Sequence, residues 1–225
     1  MSRLTLAPRI ASKVLEEILL GGLKPGDRIN EAKMAKQLNV GRSTFREALQ
    51  ALADSGLVIR ERATLVARPT LEDALILFDV QGRLEPFAAA KACGRLTPTH
   101  TRELQLHLDK MKQAIPKGDF STFLRHELNF HQRIWKIPQL RTLNRMFKLV
   151  MPPLFVFLRG RFSQMFSGNA SHGEEMLRKQ HEYDRKLLVI LKTRNPREVR
   201  VAFARAIGDY WQAITGLGTR PHATS

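Results

Sequence analysis

The chain has 225 residues, enough for one large domain or two small ones, and 43% apolar content is ample for a packed core. Lys and Arg outnumber Asp and Glu by 37 to 21, a formal net charge of +16, so the first expectation is a polyanionic partner such as nucleic acid. A single cysteine, Cys93, excludes an internal disulfide framework and any Cys-x-x-Cys metal or redox motif. It points to the reducing cytoplasm, with no apolar leader legible at the N-terminus and no apolar run long enough to cross a membrane.

Residues 9–22 carry Ile10, Val14, Leu15, Ile18 and Leu19 on one helical stripe, stopped by Gly21 and Gly22. A Pro25-Gly26 turn follows, then Asn30 as the N-cap of a second helix reaching about Leu38. The stretch from Gly41 to Leu57 predicts a third helix. Its apolar residues Phe45, Ala48, Leu49 and Leu52 face a core, while Arg42, Ser43, Thr44 and Arg46 crowd the N-terminal turns. Residues 57–60 and 64–67 are short and β-rich around a charged turn. Three helices followed by a two-stranded hairpin make a winged helix-turn-helix, whose third helix enters the DNA major groove.

Beyond Arg68-Pro69 only helical signals remain, at 71–94, 98–114, 119–135, 139–165 (broken near Pro152-Pro153), 171–193 and 196–215. Thr70, Thr97 and Asn195 are candidate N-caps, the last two followed by proline at the first helical position. Short connections imply antiparallel neighbours. The fold class expected is therefore mainly α: a winged helix-turn-helix over 1–69, an all-α antiparallel helical bundle over 70–217, and a disordered tail over 218–225. The surplus of positive charge beyond residue 70, 25 Lys and Arg against 14 Asp and Glu, suggests an anionic ligand in the bundle as well.

The segment GGLKPGDRINEAKMAKQLNVGRSTFREALQALADSGLV closely resembles the GntR family of bacterial transcription regulators: the Gly-x-Leu-x-Pro-Gly turn, the Glu, the Arg-x-x-x-Arg-Glu-Ala-Leu run and the Gly-Leu-Val close. The remainder resembles the FadR-like subgroup with its helical FCD-type effector domain, through Arg83-Leu84-Glu85-Pro86, Phe130-His131 and Asn195-Pro196-Arg197-Glu198. The resemblance implies a homodimeric repressor or activator, a repressor before an activator, that binds a palindromic double-stranded DNA operator and responds to a small organic acid held in the helical domain, which for a repressor releases the DNA.

Arg42 and Arg46 lie four residues apart and so project from one side of the helix. Each guanidinium can grip guanine O6 and N7 or a phosphate. The resemblance makes them the principal operator contacts, with Ser43 and Thr44 at phosphate, Arg62 and Thr64 on the wing, and Lys33 on the second helix. An intramolecular ion pair, with Glu47 for example, is the competing account of one arginine. Ala63 stands where the family commonly has glycine, and Gly41 where it has serine or threonine, so wing and helix cap are expected to meet DNA differently.

In the bundle, Glu127 and His131 are spaced i, i+4 and can reach one point, a pairing that suits a divalent metal. Many relatives complete such a site with two further histidines. The matching positions here are Asp184 and Ala206, with His181 one turn before Asp184. Glu127, His131 and Asp184 form an oxygen-rich set that favours Mn or Mg over Ni or Zn. The alternative is a metal-free pocket in which His131 hydrogen-bonds Glu127 and the effector. The resemblance implies that Arg83 holds the carboxylate of the effector beside Glu127 and His131, with Arg159 and Arg161 as further candidates, unless Arg83 pairs with Asp79 or Glu85. Two other readings compete with a regulator that is not an enzyme. One is a metal-dependent hydrolase using Glu127 and His131; the other is a nonspecific nucleoid protein. No GxSxG, HExxH or P-loop motif supports catalysis.

Overall fold

The computed structural model describes residues 3–215, so the tail expected to be disordered lies outside the described residues. Helix α1 spans Arg3–Leu20, α2 Glu31–Gln37 and α3 Arg42–Ala53, followed by strands β1 (Val58–Arg60) and β2 (Thr64–Val66). The strands pair antiparallel with Val58 opposite Val66 and Arg60 opposite Thr64. Ile10, Val14, Ile18, Phe45, Leu49, Leu52, Val58 and Val66 close a small core beneath this unit. Asn30 caps α2 by accepting from the Lys33 N–H at 3.0 Å, whereas Gly41 supplies α3 with no side-chain cap. The tip of the hairpin, Glu61 to Ala63, turns without any positive φ, so the alanine at this position is unstrained.

Six helices follow: α4 (Leu71–Cys93), α5 (Pro98–Ala114), α6 (Phe120–Lys136), α7 (Arg141–Gly168), α8 (Ala170–Lys192) and α9 (Pro196–Thr215). Capping boxes at Thr70/Asp73 and Thr97/His100 start α4 and α5, and Asp119 and Asn169 cap α6 and α8. Helix α4 lies along α9, and α6 packs between α5 and α7. Phe123, Phe130, Trp135, Phe162 and Phe203 are fully buried between the helices.

Two boundaries differ from the sequence expectation. Helix α1 begins at Arg3, with Pro8 inside it. Helix α7 runs unbroken through Pro152-Pro153 to Gly168. An interior proline costs about 3 kcal/mol in lost hydrogen bonding and backbone clash. Here both rings are buried, together with Val150, Met151, Leu154, Phe155 and Val156. At roughly 1.5–3 kcal/mol for each large apolar side chain withdrawn from water, that packing outweighs the two prolines.

The bundle grips the N-terminal unit through α1, which touches both α6 and α7. Arg125 on α6 pairs with Glu16 at 2.7 Å. Arg159 on α7 donates its Nε to the Leu19 carbonyl at 3.0 Å, satisfying one of the orphan acceptors at the C-terminal end of α1. Gly21 follows with φ +87°, and a side chain there would overlap the Arg159 guanidinium.

Candidate functional site

Two separate sites emerge, one on the outer face of α3 and one inside the bundle. On α3 the stripe of Phe45, Ala48, Leu49 and Leu52 turns inward, which leaves Arg42, Ser43 and Arg46 exposed near the helix start. Thr44 is a correction: it precedes Phe45 and lies one turn before Ala48, so its side chain is buried, and only its backbone belongs to the helix N-terminus. Thr64 is a second correction. It is buried at the start of β2, beside the hairpin tip, where its hydroxyl donates to Glu31 at 2.7 Å, so it holds the wing instead of facing outward. Arg62 is exposed at the tip of the hairpin, and Lys33 on α2 is exposed as well.

Between α2, α3 and the hairpin runs an open groove of about 1050 Å³ carrying Arg28, Arg46, Arg60 and Arg62. Arg46 has an intramolecular ion pair, but its partner is Glu31 at 3.2 Å, not Glu47. The Arg46 side chain remains 69% exposed despite that contact, so it is still open to a ligand. Exposed hydroxyl, helix N-terminus and arginine forks on one face are the chemistry of phosphate and base-edge contact.

Inside the bundle, Glu127 and His131 from α6 meet Asp184 from α8, with ligand-capable atoms all within 4.8 Å of one another. All three are buried, around a cavity of about 20 Å³, room for a single water or ion. The floor is a residue pair that spacing on α6 did not announce. His131 Nδ1 bonds Glu85 Oε1 at 2.6 Å, and Glu85 is held in turn by Gln81 at 2.7 Å and by the Trp135 indole at 3.2 Å. This leaves His131 Nε2 facing Asp184 Oδ1 at 3.6 Å. A carboxylate behind a histidine that turns its other nitrogen to a cavity is the usual outer-shell arrangement of a metal-ligating histidine. The signal that could have found Glu85 is Gln81 and Glu85 at i, i+4 on a stripe otherwise shared with Phe78, Ala88 and Ala92.

Electrostatics in the cavity follow from burial. Burial alone would depress the pKa of His131, but the charge and hydrogen bond of Glu85, with Asp184 and Glu127 beyond, lift it to about 9. Burial raises Asp184 to about 7, opposed by His131 and reinforced by Glu85. Glu127 is pushed well above the usual carboxylate range by burial and then by the charge of Asp184. Acceptor atoms of Glu127, Asp184, Gln81 and Gln180 are buried without a partner, as is the Tyr210 hydroxyl. So many unpaired oxygens, with two carboxyls held up in pKa, are what a cation would satisfy; the donor set fits a hard divalent ion.

The arginines expected beside this cavity are elsewhere. Arg83 is exposed and pairs with Asp79 at 3.2 Å, because α4 turns Gln81 and Glu85 inward and position 83 to the opposite side. Arg159 points at the end of α1, and neither it nor Arg161 lines the cavity. His181 is tied to the Leu108 carbonyl at 3.1 Å and does not complete the set. His131 bonds Glu85, not Glu127.

Residues 6–64 match the bacterial regulatory proteins of the gntR family, and residues 76–209 match the FCD domain. The chain belongs to the GntR family and carries an FCD domain. The transcriptional regulator McbR of Escherichia coli is 29% identical over 126 residues, covering 55% of this chain and 57% of McbR. The gluconate operon transcriptional repressor of Bacillus licheniformis is 26% identical over 152 residues, covering 67% of this chain and 60% of that repressor. The matched part thus spans under two thirds of either relative. Among solved structures, E. coli McbR/YncC superposes with a TM-score of 0.75 at 23% identity over 94% of this chain and 98% of that one. A GntR regulator from Rhodococcus sp. RHA1 gives 0.66 at 20% over 93% and 97%. At these identities the superpositions establish the shared fold.

The GntR assignment places this chain among transcription regulators, not enzymes, which removes the hydrolase reading of Glu127 and His131. The matched segment, residues 6–64, contains the whole of α3. Asp184 and Ala206 both line the cavity. Among the described residues, no helix is long and apolar enough to span a membrane.

Proposed function

We propose that this regulator is a homodimeric, cytoplasmic repressor. Residues 1–69 bind half of a palindromic operator, and residues 70–217 dimerise and bind a small organic acid that releases the DNA. Arg42, Ser43 and Arg46 enter the major groove, while Arg62 and Lys33 take phosphates beside it. The observation that carries this reading is the pair of exposed arginines over a groove framed by α3 and the wing. Similarity to the gluconate operon transcriptional repressor of Bacillus licheniformis supports the sign of regulation.

In the bundle, Glu127, His131 and Asp184 would hold a divalent cation, Mn or Mg before Ni or Zn. Bound there, the cation would supply positive charge for an effector carboxylate that Glu127 and Asp184 would otherwise repel. Glu85 orients His131 for that role. A 20 Å³ cavity admits the ion but no organic acid, so effector binding needs the surrounding walls to part.

Selection of bound duplexes from a random pool, followed by a gel shift, tests the DNA reading. The expected product is a two-fold symmetric sequence bound by a dimer, with Arg46→Ala costing about 1–3 kcal/mol of specific affinity. Equal affinity for selected and scrambled duplexes at moderate salt would end the repressor reading. Elemental analysis of protein purified without chelator tests the cation, which is expected in stoichiometric amount.

A further inference from the structure

Glu31 is a carboxylate lying among the four arginines of the groove between α2, α3 and the hairpin. Its position is not explained by the start of α2 alone. An acidic residue in the first turn of a helix is favourable, but that accounts for neither of the partners that reach Glu31 from other elements. Arg46 comes from α3, its Nε 3.2 Å from Glu31 Oε2. Thr64 comes from β2, its hydroxyl 2.7 Å from Glu31 Oε1, and Arg60 from β1, its Nη2 3.9 Å from the same oxygen. Arg60 is also tied to α3, since its Nη1 donates to Gln50 at 2.9 Å.

The grip on Arg46 is one-sided. Glu31 takes Nε only, and among the described residues Nη1 and Nη2 have no protein partner. An arginine side chain loses much rotamer freedom when it docks, and a planar fork held at one edge presents the other edge in a set direction. That free edge has the two parallel donors that match guanine O6 and N7. The same carboxylate ties the Arg60–Thr64 pair of the wing to α3, so the two elements keep a common register.

We propose that Glu31 is a specificity-determining positioning residue: it buttresses Arg46 for one base pair of the operator and couples the wing to α3. This rests on the DNA reading above and deepens it. A negative charge in this groove weakens nonspecific attraction to phosphate, and the return for it is discrimination between sequences.

Full-length wild type, E31Q, E31D, R46A and the E31Q/R46A double variant are titrated against the duplex selected by wild type and against its scrambled form. E31Q is expected to lower the selected-to-scrambled affinity ratio about tenfold, by weaker binding of the selected duplex and equal or tighter binding of the scrambled one. In the R46A background E31Q changes the ratio less than twofold, because there is no guanidinium left to position. E31D keeps the charge at the start of α2 but withdraws the carboxylate by one methylene; it is expected to show the same loss of ratio. It carries the test if E31Q fails to fold. An unchanged ratio in E31D, or an equal tenfold loss on both backgrounds, overturns the buttress while leaving the DNA reading in place. A wild-type chain that selects no sequence overturns both.

Discussion

Raising the pH on metal-free protein should destabilise it through the buried cavity. His131 is held at about 9 by Glu85 and its neighbours, against an ordinary value of 6.5. A histidine with a raised folded pKa contributes stability in full below its unfolded value and loses it as pH climbs through the folded one. The window is therefore about pH 6.5 to 9. At 1.36 kcal/mol per pH unit, the gap amounts to about 3 kcal/mol, an upper figure because the acidic cluster relaxes as the ring loses its charge. For a chain of this length each kcal/mol moves the melting temperature by roughly 2–4 °C, so a fall of about 6–12 °C is expected. Asp184, raised to about 7, adds to the loss in the same direction, but its share is spent between its ordinary carboxylate range and neutrality. Glu127, pushed well above the usual carboxylate range by burial, adds in the same direction, so the comparison with a His131 variant isolates the share of His131. Scanning calorimetry in EDTA across pH 6–10 reads the slope, with His131→Gln as the comparison. The variant melts lower at pH 6 and loses the slope. Parallel curves for the two proteins would refute the ion-pair argument. Mn²⁺ at a hundred times its dissociation constant should return about 2.7 kcal/mol, and more of it at high pH, where protons no longer compete for the ligands.

Two further substitutions separate the roles of neighbouring residues. Glu85→Gln removes the charge behind His131 without touching the three cavity ligands, and should weaken divalent-cation affinity about 10–100-fold in a chelator competition; unchanged affinity would mean that His131 is oriented by packing alone. Arg159→Ala leaves the cavity intact but uncaps the Leu19 carbonyl and empties the space over Gly21, with an expected loss of about 1 kcal/mol in thermal unfolding; an unaltered melting temperature would show that this contact between bundle and α1 is replaced by water.

The sequence by itself determined what depends on local periodicity. The stripe of Phe45, Leu49 and Leu52 decided which side of α3 is free, and so exposed Arg42 and Arg46; the i, i+4 spacing of Glu127 and His131 put both on one face of α6. Caps such as Thr70, Thr97 and Asn30 were legible for the same reason, since a helix start is a matter of three or four neighbouring residues. The break expected at Pro152-Pro153 failed because local backbone preference lost to burial, which no local window contains. Only the tertiary structure decided which side chains converge: Asp184 crossing from α8, Glu85 rising from α4 beneath His131, Glu31 reaching Arg46 and Thr64 at once. It equally removed Arg83 and Arg159 from the cavity. Spacing within one helix sets a face, but where two faces meet depends on how the helices cross and at what height, and that is a property of the packed bundle.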